Sequence, residues 1–248
     1  LKLYINNFKT NEAMTVGKKK IIAFTLWGNN KCYNYGALEN ALLAKKMYPG
    51  FICRFYIGKN VIKDVINKLK KLDNIEIVYI NKHKKLSNMF YRFLPMYENN
   101  VEILLSRDTD SLINIREKLA VKEWLDSDKN FHIMRDNQQH GTRILGGMFG
   151  IKVSKIKLNK ITFDKYLEKS HGVMGEDQDF LQDIIYPKIK DSVMIHDSNH
   201  HYKDEKIRLF PKSNYKDFVG NYSCNNYKKI NQKYGLNLKS FTRERDNT

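Results

Sequence analysis

The chain has 248 residues and a formal net charge of +17, from 44 Lys and Arg against 27 Asp and Glu. That length suits one domain, and a hydrophobic share of 42% excludes a wholly disordered chain. No run approaches the roughly 18 apolar residues of a membrane span, and three cysteines (Cys32, Cys53 and Cys224) exclude a disulfide scaffold or a CxxC zinc knuckle and point to a reducing, cytoplasmic setting.

Residues 1–18 mix apolar and polar side chains without a period, and no charged leader runs into a long apolar stretch, so no secretory signal is expected. Lys18-Lys19-Lys20 leads into a strand-length apolar run, Ile21 to Trp27, closed by the turn Gly28-Asn29-Asn30. Ala37, Leu38, Ala41, Leu42 and Ala44 fall on a helical period that predicts a helix over 35–47, stopped by Pro49-Gly50. Phe51 to Ile57 reads as a second strand, Val61 to Leu72 as a helix and Ile75 to Ile80 as a third strand. Residues 87–98 read as a helix that Pro95 kinks or ends. Val101 to Ser106 is a fourth strand. Asn114 and Glu117 then form a capping box for a helix with Leu119, Ala120, Trp124 and Leu125 on its apolar side. Phe131 to Met134 is a fifth strand, and Ile144 to Ile151 is a strand broken by Gly146, Gly147 and Gly150. Asp177 opens a helix that Pro187 ends, and Val193 to Ile195 is a short last strand. Alternating strands and helices argue for an α/β layer with a mostly parallel sheet. Residues 201–248, with Tyr202, Phe210, Tyr215, Phe218, Tyr222 and Tyr227, read as an irregular extension of the same domain.

The charge is uneven. Residues 1–100 carry net +12 and residues 201–248 net +6, whereas residues 101–200 carry 15 basic and 16 acidic side chains. The excess suggests a polyanionic partner, nucleic acid first. Yet 35 Lys, 9 Arg and 26 Asn look as much like the compositional bias of a low-GC bacterial or viral genome. The acids of the middle third are the sharper signal. The fourth strand runs into Arg107-Asp108-Thr109-Asp110-Ser111, and chemistry in α/β sheets sits beyond the carboxyl ends of strands. Two carboxylates two residues apart project to one side if the strand geometry persists. A divalent ion between them relieves their repulsion. A simple turn or helix cap is the competing reading. Glu176, Asp177 and Asp179 form a second cluster, which also suits a helix N-terminus.

Several ordered stretches share a wider pattern: Phe90-Tyr91-Arg92-Phe93-Leu94, Ser106 to Ser111, Phe131 to Asp136, Ile144 to Gly150 and Gly175 to Leu181. Together they resemble the GT-A fold of DxD-containing, nucleotide-sugar-dependent glycosyltransferases, and are similar to a bacterial and viral glycosyltransferase-like group. The resemblance covers about residues 20–200. It implies a GT-A type, Rossmann-like, mostly parallel central sheet flanked by helices, with residues 201–248 as a C-terminal extension. It also implies transfer of a sugar from a UDP- or GDP-sugar to a hydroxyl of a glycan, protein or small acceptor, with Mn²⁺ or Mg²⁺ against the diphosphate.

By the same resemblance Asp110 is the firmest metal ligand. Asp108 reaches the metal through water or holds the donor, and His196 is the candidate third ligand. Thr25, Leu26, Trp27 and Tyr33 would hold the nucleotide, and Gly146-Gly147 would approach the donor sugar. Arg92 and Arg107 would offset phosphate charge, although Arg92 on an apolar helix face can also be a snorkelling side chain. Arg135 and Asp136, ranked above the nearby His132 and His140, would face donor or acceptor. His200-His201 are less anchored than His196. Asp177 is the preferred general base, with Glu176 or Asp179 as alternatives. Lys203 and Lys206 are candidates for a late phosphate contact, where the match is no longer secure. Two other functions compete: a nucleic-acid-binding protein or nucleotidyltransferase, and a noncatalytic interaction protein with a transferase-like fold. The basic flanks can gather a charged donor, so no nucleic acid is required to explain them.

Overall fold

The computed structural model describes residues 17–80, 88–156, 158–214 and 217–222. The segment before Gly17, with Cys224, Tyr215 and Tyr227 of the expected extension, lies outside the described residues.

Eight strands form one sheet. In chain order they are β1 (Lys19–Leu26), β2 (Phe51–Ile57), β3 (Ile75–Tyr79), β4 (Val101–Arg107), β5 (Phe131–Arg135), β6 (Met148–Lys152), β7 (Val193–Asp197) and β8 (Ile207–Arg208). Their spatial order is β3-β2-β1-β4-β6-β5-β7-β8. The sheet is mixed: β6 runs antiparallel to both β4 and β5, while β1 to β4, and β5, β7 and β8, pair in parallel. Seven strands therefore end at the same edge and β6 alone begins there. That reversal brings Gly146-Gly147, just ahead of β6, beside the end of β4. The expected strand from Ile144 is thus shorter. Residues 144–147 form a turn in which the Met148 amide donates to the Leu145 carbonyl, and the strand starts at Met148.

Side-chain alternation along β1 explains the two cores. Ile22, Phe24 and Leu26 face a cluster with Ala37, Leu38, Ala41, Val65 and Trp124. Ile21 and Ala23 face another with Phe90, Phe93, Phe149, Phe163 and Phe180. Both faces are covered, so the strand reads as a continuous apolar run. The first core lies under α1 (Lys31–Met47), α2 (Lys63–Leu69) and α3 (Ile115–Leu125). Asn30 caps α1 by accepting from the Cys32 amide, and Asn114 caps α3 by accepting from the Glu117 amide. The second core lies under the 3-10 helix Asn88–Tyr97, α4 (Lys160–Lys169) and α5 (Glu176–Phe180). No helix among the described residues is long and apolar enough to cross a membrane.

Two elements differ from expectation for identifiable reasons. Pro187 does not end the helix begun at α5. A π-helical turn, Leu181–Ile185, precedes it and α6 (Tyr186–Ile189) carries on through it. Proline has no N–H for the i−4 carbonyl, and the wider turn absorbs that missing bond. The helix α4 shows no clear sequence stripe, and only Phe163 and Leu167 of it are buried. Cys53 is a buried free thiol whose pKa burial pushes up to about 12.

Candidate active site

The edge where β1, β4, β5 and β7 end brings Asp108 and Asp177 of the middle third together on one arginine. Directly after β4 the chain alternates as expected. Thr109 is buried, while Asp108 and Asp110 on either side of it are partly exposed. The loop leans on α1, where the Asn40 side-chain amide donates to the Ser111 carbonyl at 2.9 Å. Gly36 lies against the Thr109 carbonyl, 2.1 Å from where a Cβ would stand.

Arg92 is the centre of the site. The core-facing Phe90, Phe93 and Met96 fix the 3-10 helix that carries it. Its buried guanidinium donates through Nη1 to Asp108 and through Nη2 to Asp177 Oδ2 at 3.0 Å. Burial works against the charge, yet the two aspartates hold the Arg92 pKa above its usual value. Burial lifts the Asp177 carboxyl, Arg92 pulls it down and Asp108 pushes it up again, for a net upward shift. Gly146 and Gly147 close over this cluster. A Cβ on Gly146 would stand 2.4 Å from Arg92 Nη2, and one on Gly147 would stand 1.9 Å from Asp108 Oδ2. The buried Ser106 hydroxyl holds the turn by donating to the Gly146 carbonyl at 2.6 Å. Glycine is required here by close approach rather than by backbone angle.

Other expected site residues point elsewhere. Arg107 turns inward from the end of β4. It pairs with Glu117 at 2.7 Å and donates to the Ser106 and Phe149 carbonyls, while Tyr48 donates to the same Glu117. Arg135 is fully buried between Asp197 and Glu205 and lies over the Tyr202 ring. Asp136 accepts from Arg116, the Ser198 hydroxyl and the Val219 amide. Glu176 ties down its own preceding loop by accepting from Ser170, the His171 amide and the Gly172 amide. Burial raises its pKa, but those bonds outweigh it and hold the carboxyl below its usual range. Asp179 and Lys203 are exposed. At the end of β1, Thr25 and Leu26 are buried, while Trp27 is 39% exposed. Tyr33 on α1 meets the Tyr222 ring edge-on.

His196 does not join the aspartates. Its ring is buried, with Nδ1 2.8 Å from His132 Nε2 and Nε2 3.3 Å from Glu123. Among the described residues no group of three His, Cys, Asp or Glu is gathered to hold an ion. Among the described residues, then, Asp108, Asp110 and His196 do not form a three-ligand group. Arg92, Asp108, Asp110 and Asp177 together carry a formal charge of −2. Two partly exposed carboxylates with that balance fit a hard divalent cation completed by water and phosphate oxygens, the usual habit of Mg²⁺. A cavity of about 530 Å³ lies at the opposite edge of the sheet, beside Tyr97, Val101 and Val153, away from these groups.

No known protein family matches the chain, and no curated protein matches it significantly. Solved structures with a similar arrangement include a glycosyltransferase involved in glycosylation of the major capsid of PBCV-1, with a TM-score of 0.46, 12% identity and coverage of 72% of this chain and 81% of that one. A 4-diphosphocytidyl-2C-methyl-D-erythritol synthase from Anaerococcus prevotii gives 0.46 at 15% identity, covering 88% and 97%. A mannosyltransferase from Pyrobaculum calidifontis, in complex with GDP-Man and Mn²⁺, gives 0.45 at 11% identity, covering 81% and 59%.

Proposed function

We propose that this chain is a metal-dependent glycosyltransferase that moves a sugar from a UDP- or GDP-sugar to a hydroxyl of a glycan, protein or small acceptor. One observation carries the reading. Asp108, Asp177 and the Gly146-Gly147 turn come from three distant parts of the chain and converge on one buried arginine at the carboxyl edge of the sheet.

Asp110 and Asp108 would hold Mn²⁺ or Mg²⁺. When bound, such an ion supplies Lewis-acid stabilisation of a departing diphosphate. The chain's own groups do the rest. The end of β1 offers the exposed ring of Trp27 for a nucleobase, next to the buried Thr25 and Leu26. The glycine turn leaves room for a sugar to approach Asp108 without a side chain between them. Asp177, buried and with its pKa raised, would accept a proton from an acceptor hydroxyl. Glu176 keeps the preceding loop in place. Arg107, Arg135 and Asp136 act through the framework rather than on the donor. The lysine-rich exterior would gather the anionic donor.

Calorimetric titration tests the proposal. Mn²⁺-dependent binding of UDP or GDP that is lost in Asp110→Ala is the expected result. Hydrolysis of one member of a panel of nucleotide sugars would then identify base and sugar. Steeply salt-dependent binding of single-stranded nucleic acid with no nucleotide binding would overturn the reading.

A further inference from the structure

The loop that carries both aspartates forms no helix or strand ladder between the end of β4 and the cap of α3, yet Thr109, Ile113 and Asn114 in it are buried. A buried loop must find partners for its amides and carbonyls. Ser111 finds one in an isolated antiparallel bridge to Tyr222, and others come from one side chain on a different element. Asn40 on α1 is fully buried. Its Nδ2 donates to the Ser111 carbonyl at 2.9 Å and stands 3.5 Å from the carbonyls of Asp108 and Thr109. Its Oδ1 accepts from the Ile113 amide at 2.9 Å. One turn earlier, Gly36 lets the Thr109 carbonyl lie against the helix, where a Cβ would stand at 2.1 Å.

We propose that Asn40, with Gly36 beside it, is a positioning residue for the carboxylate pair. The proposal rests on the transferase reading above and concerns how that site is held. Asn40 draws the carbonyls of residues 108, 109 and 111 toward α1. With the carbonyls turned toward α1, the Asp108 side chain is left to meet Arg92, and both aspartates stay partly exposed. The amide is suited to this because it both donates and accepts. An aspartate of the same size accepts only, and it would set a negative charge against three carbonyls. Asn40→Asp therefore changes the loop while preserving volume. Gly36→Ala reaches the same loop from the helix side, by driving a methyl group into the Thr109 carbonyl.

The experiment measures Mn²⁺-dependent UDP and GDP binding by calorimetry, with thermal melting recorded for each variant. Val65→Ala, a core substitution on α2 well away from the site, serves as the stability control. The expected result is binding weakened at least tenfold in Asn40→Asp and Gly36→Ala, with a cooperative melt retained in at least one of them. Val65→Ala should bind as wild type at a comparable loss of Tm. Wild-type affinity in either loop variant overturns the positioning role, as does an equal loss in Val65→Ala. A wild-type protein that binds neither nucleotide overturns the transferase reading and the positioning role together. Wild-type binding with unaffected loop variants overturns the positioning role alone.

Discussion

Arg92 joins two carboxylates that lie 16 and 85 residues away in sequence. Both its side chain and that of Asp177 are nearly inaccessible to water. Removing one partner of such a pair leaves an uncompensated buried charge, which costs about 3–5 kcal/mol. Arg92→Met should therefore lower the unfolding free energy by about that amount, read from urea denaturation. Gly147→Ala should behave in the opposite way. Its methyl group meets chiefly the Asp108 carboxylate, the end of a side chain that is 38% exposed, and stands 3.1 Å from the Asp108 backbone nitrogen. Stability should fall by less than about 1 kcal/mol, whereas nucleotide binding should weaken by about tenfold, close to 1.4 kcal/mol. An unchanged affinity would show that Asp108 does not need its place beside Arg92. The burial of Thr109 between two partly exposed aspartates was legible in the sequence, because alternation after a strand decides which side chains face out. Arg107 was not. A long guanidinium goes wherever its partners lie, and Glu117 and the Phe149 carbonyl are neighbours only in the folded sheet. The partners of His196 were hidden for the same reason, since His132 and Glu123 meet its two ring nitrogens only in the folded chain.

At the scale of elements, α5 brings Asp177 to Arg92, and aromatic packing holds α5. Phe180, one turn after Asp177, meets the rings of Phe90, Phe163 and Tyr166 edge-on, at centroid distances of 5.9, 5.3 and 5.1 Å. Phe180→Ala should destabilise the fold by about 3–5 kcal/mol. Nucleotide hydrolysis should fall further than the folded fraction, because the Arg92–Asp177 pair loses its support. Parallel loss of activity and folded fraction would contradict that coupling. Strand positions were legible from apolar runs and turn residues. The direction of β6 was not, because alternation reports which face a residue occupies and carries no sign for the direction of travel. The short α4 and the π-helical turn were also hidden, one by a weak stripe and the other by a proline whose effect depends on the preceding turn.

At the scale of the whole molecule, three buried histidines set a pH dependence. Burial, the neighbouring His196 and Arg107 push the His132 pKa well down. His140 is pushed down to about 4, chiefly by burial. His196 is lowered by burial despite the opposing pull of Glu123. The unfolded chain, with histidine pKa near 6.5, binds these protons before the folded chain does. Stability is thus full above about pH 6.5 and falls as pH drops below it, at about 1.4 kcal/mol per pH unit for each histidine in its window. Urea midpoints measured from pH 8 to 4.5 should fall through this range, and the slope should flatten in His132→Phe. A flat profile in the wild type would contradict the neutral, buried state of these rings.

The large positive charge has a related structural basis. Each of the seven described arginines is paired to a carboxylate: Arg54, Arg92, Arg107, Arg116, Arg135, Arg143 and Arg208. The positive exterior is therefore built mainly of lysine, a strongly hydrated point charge without the planar fork that reads phosphates and bases in pairs. Amines and guanidiniums also differ in reactivity. Mild acetylation would remove charge from the outside and leave the guanidinium pairs intact, so the attraction of the exterior for anions can be tuned chemically without disturbing the fold.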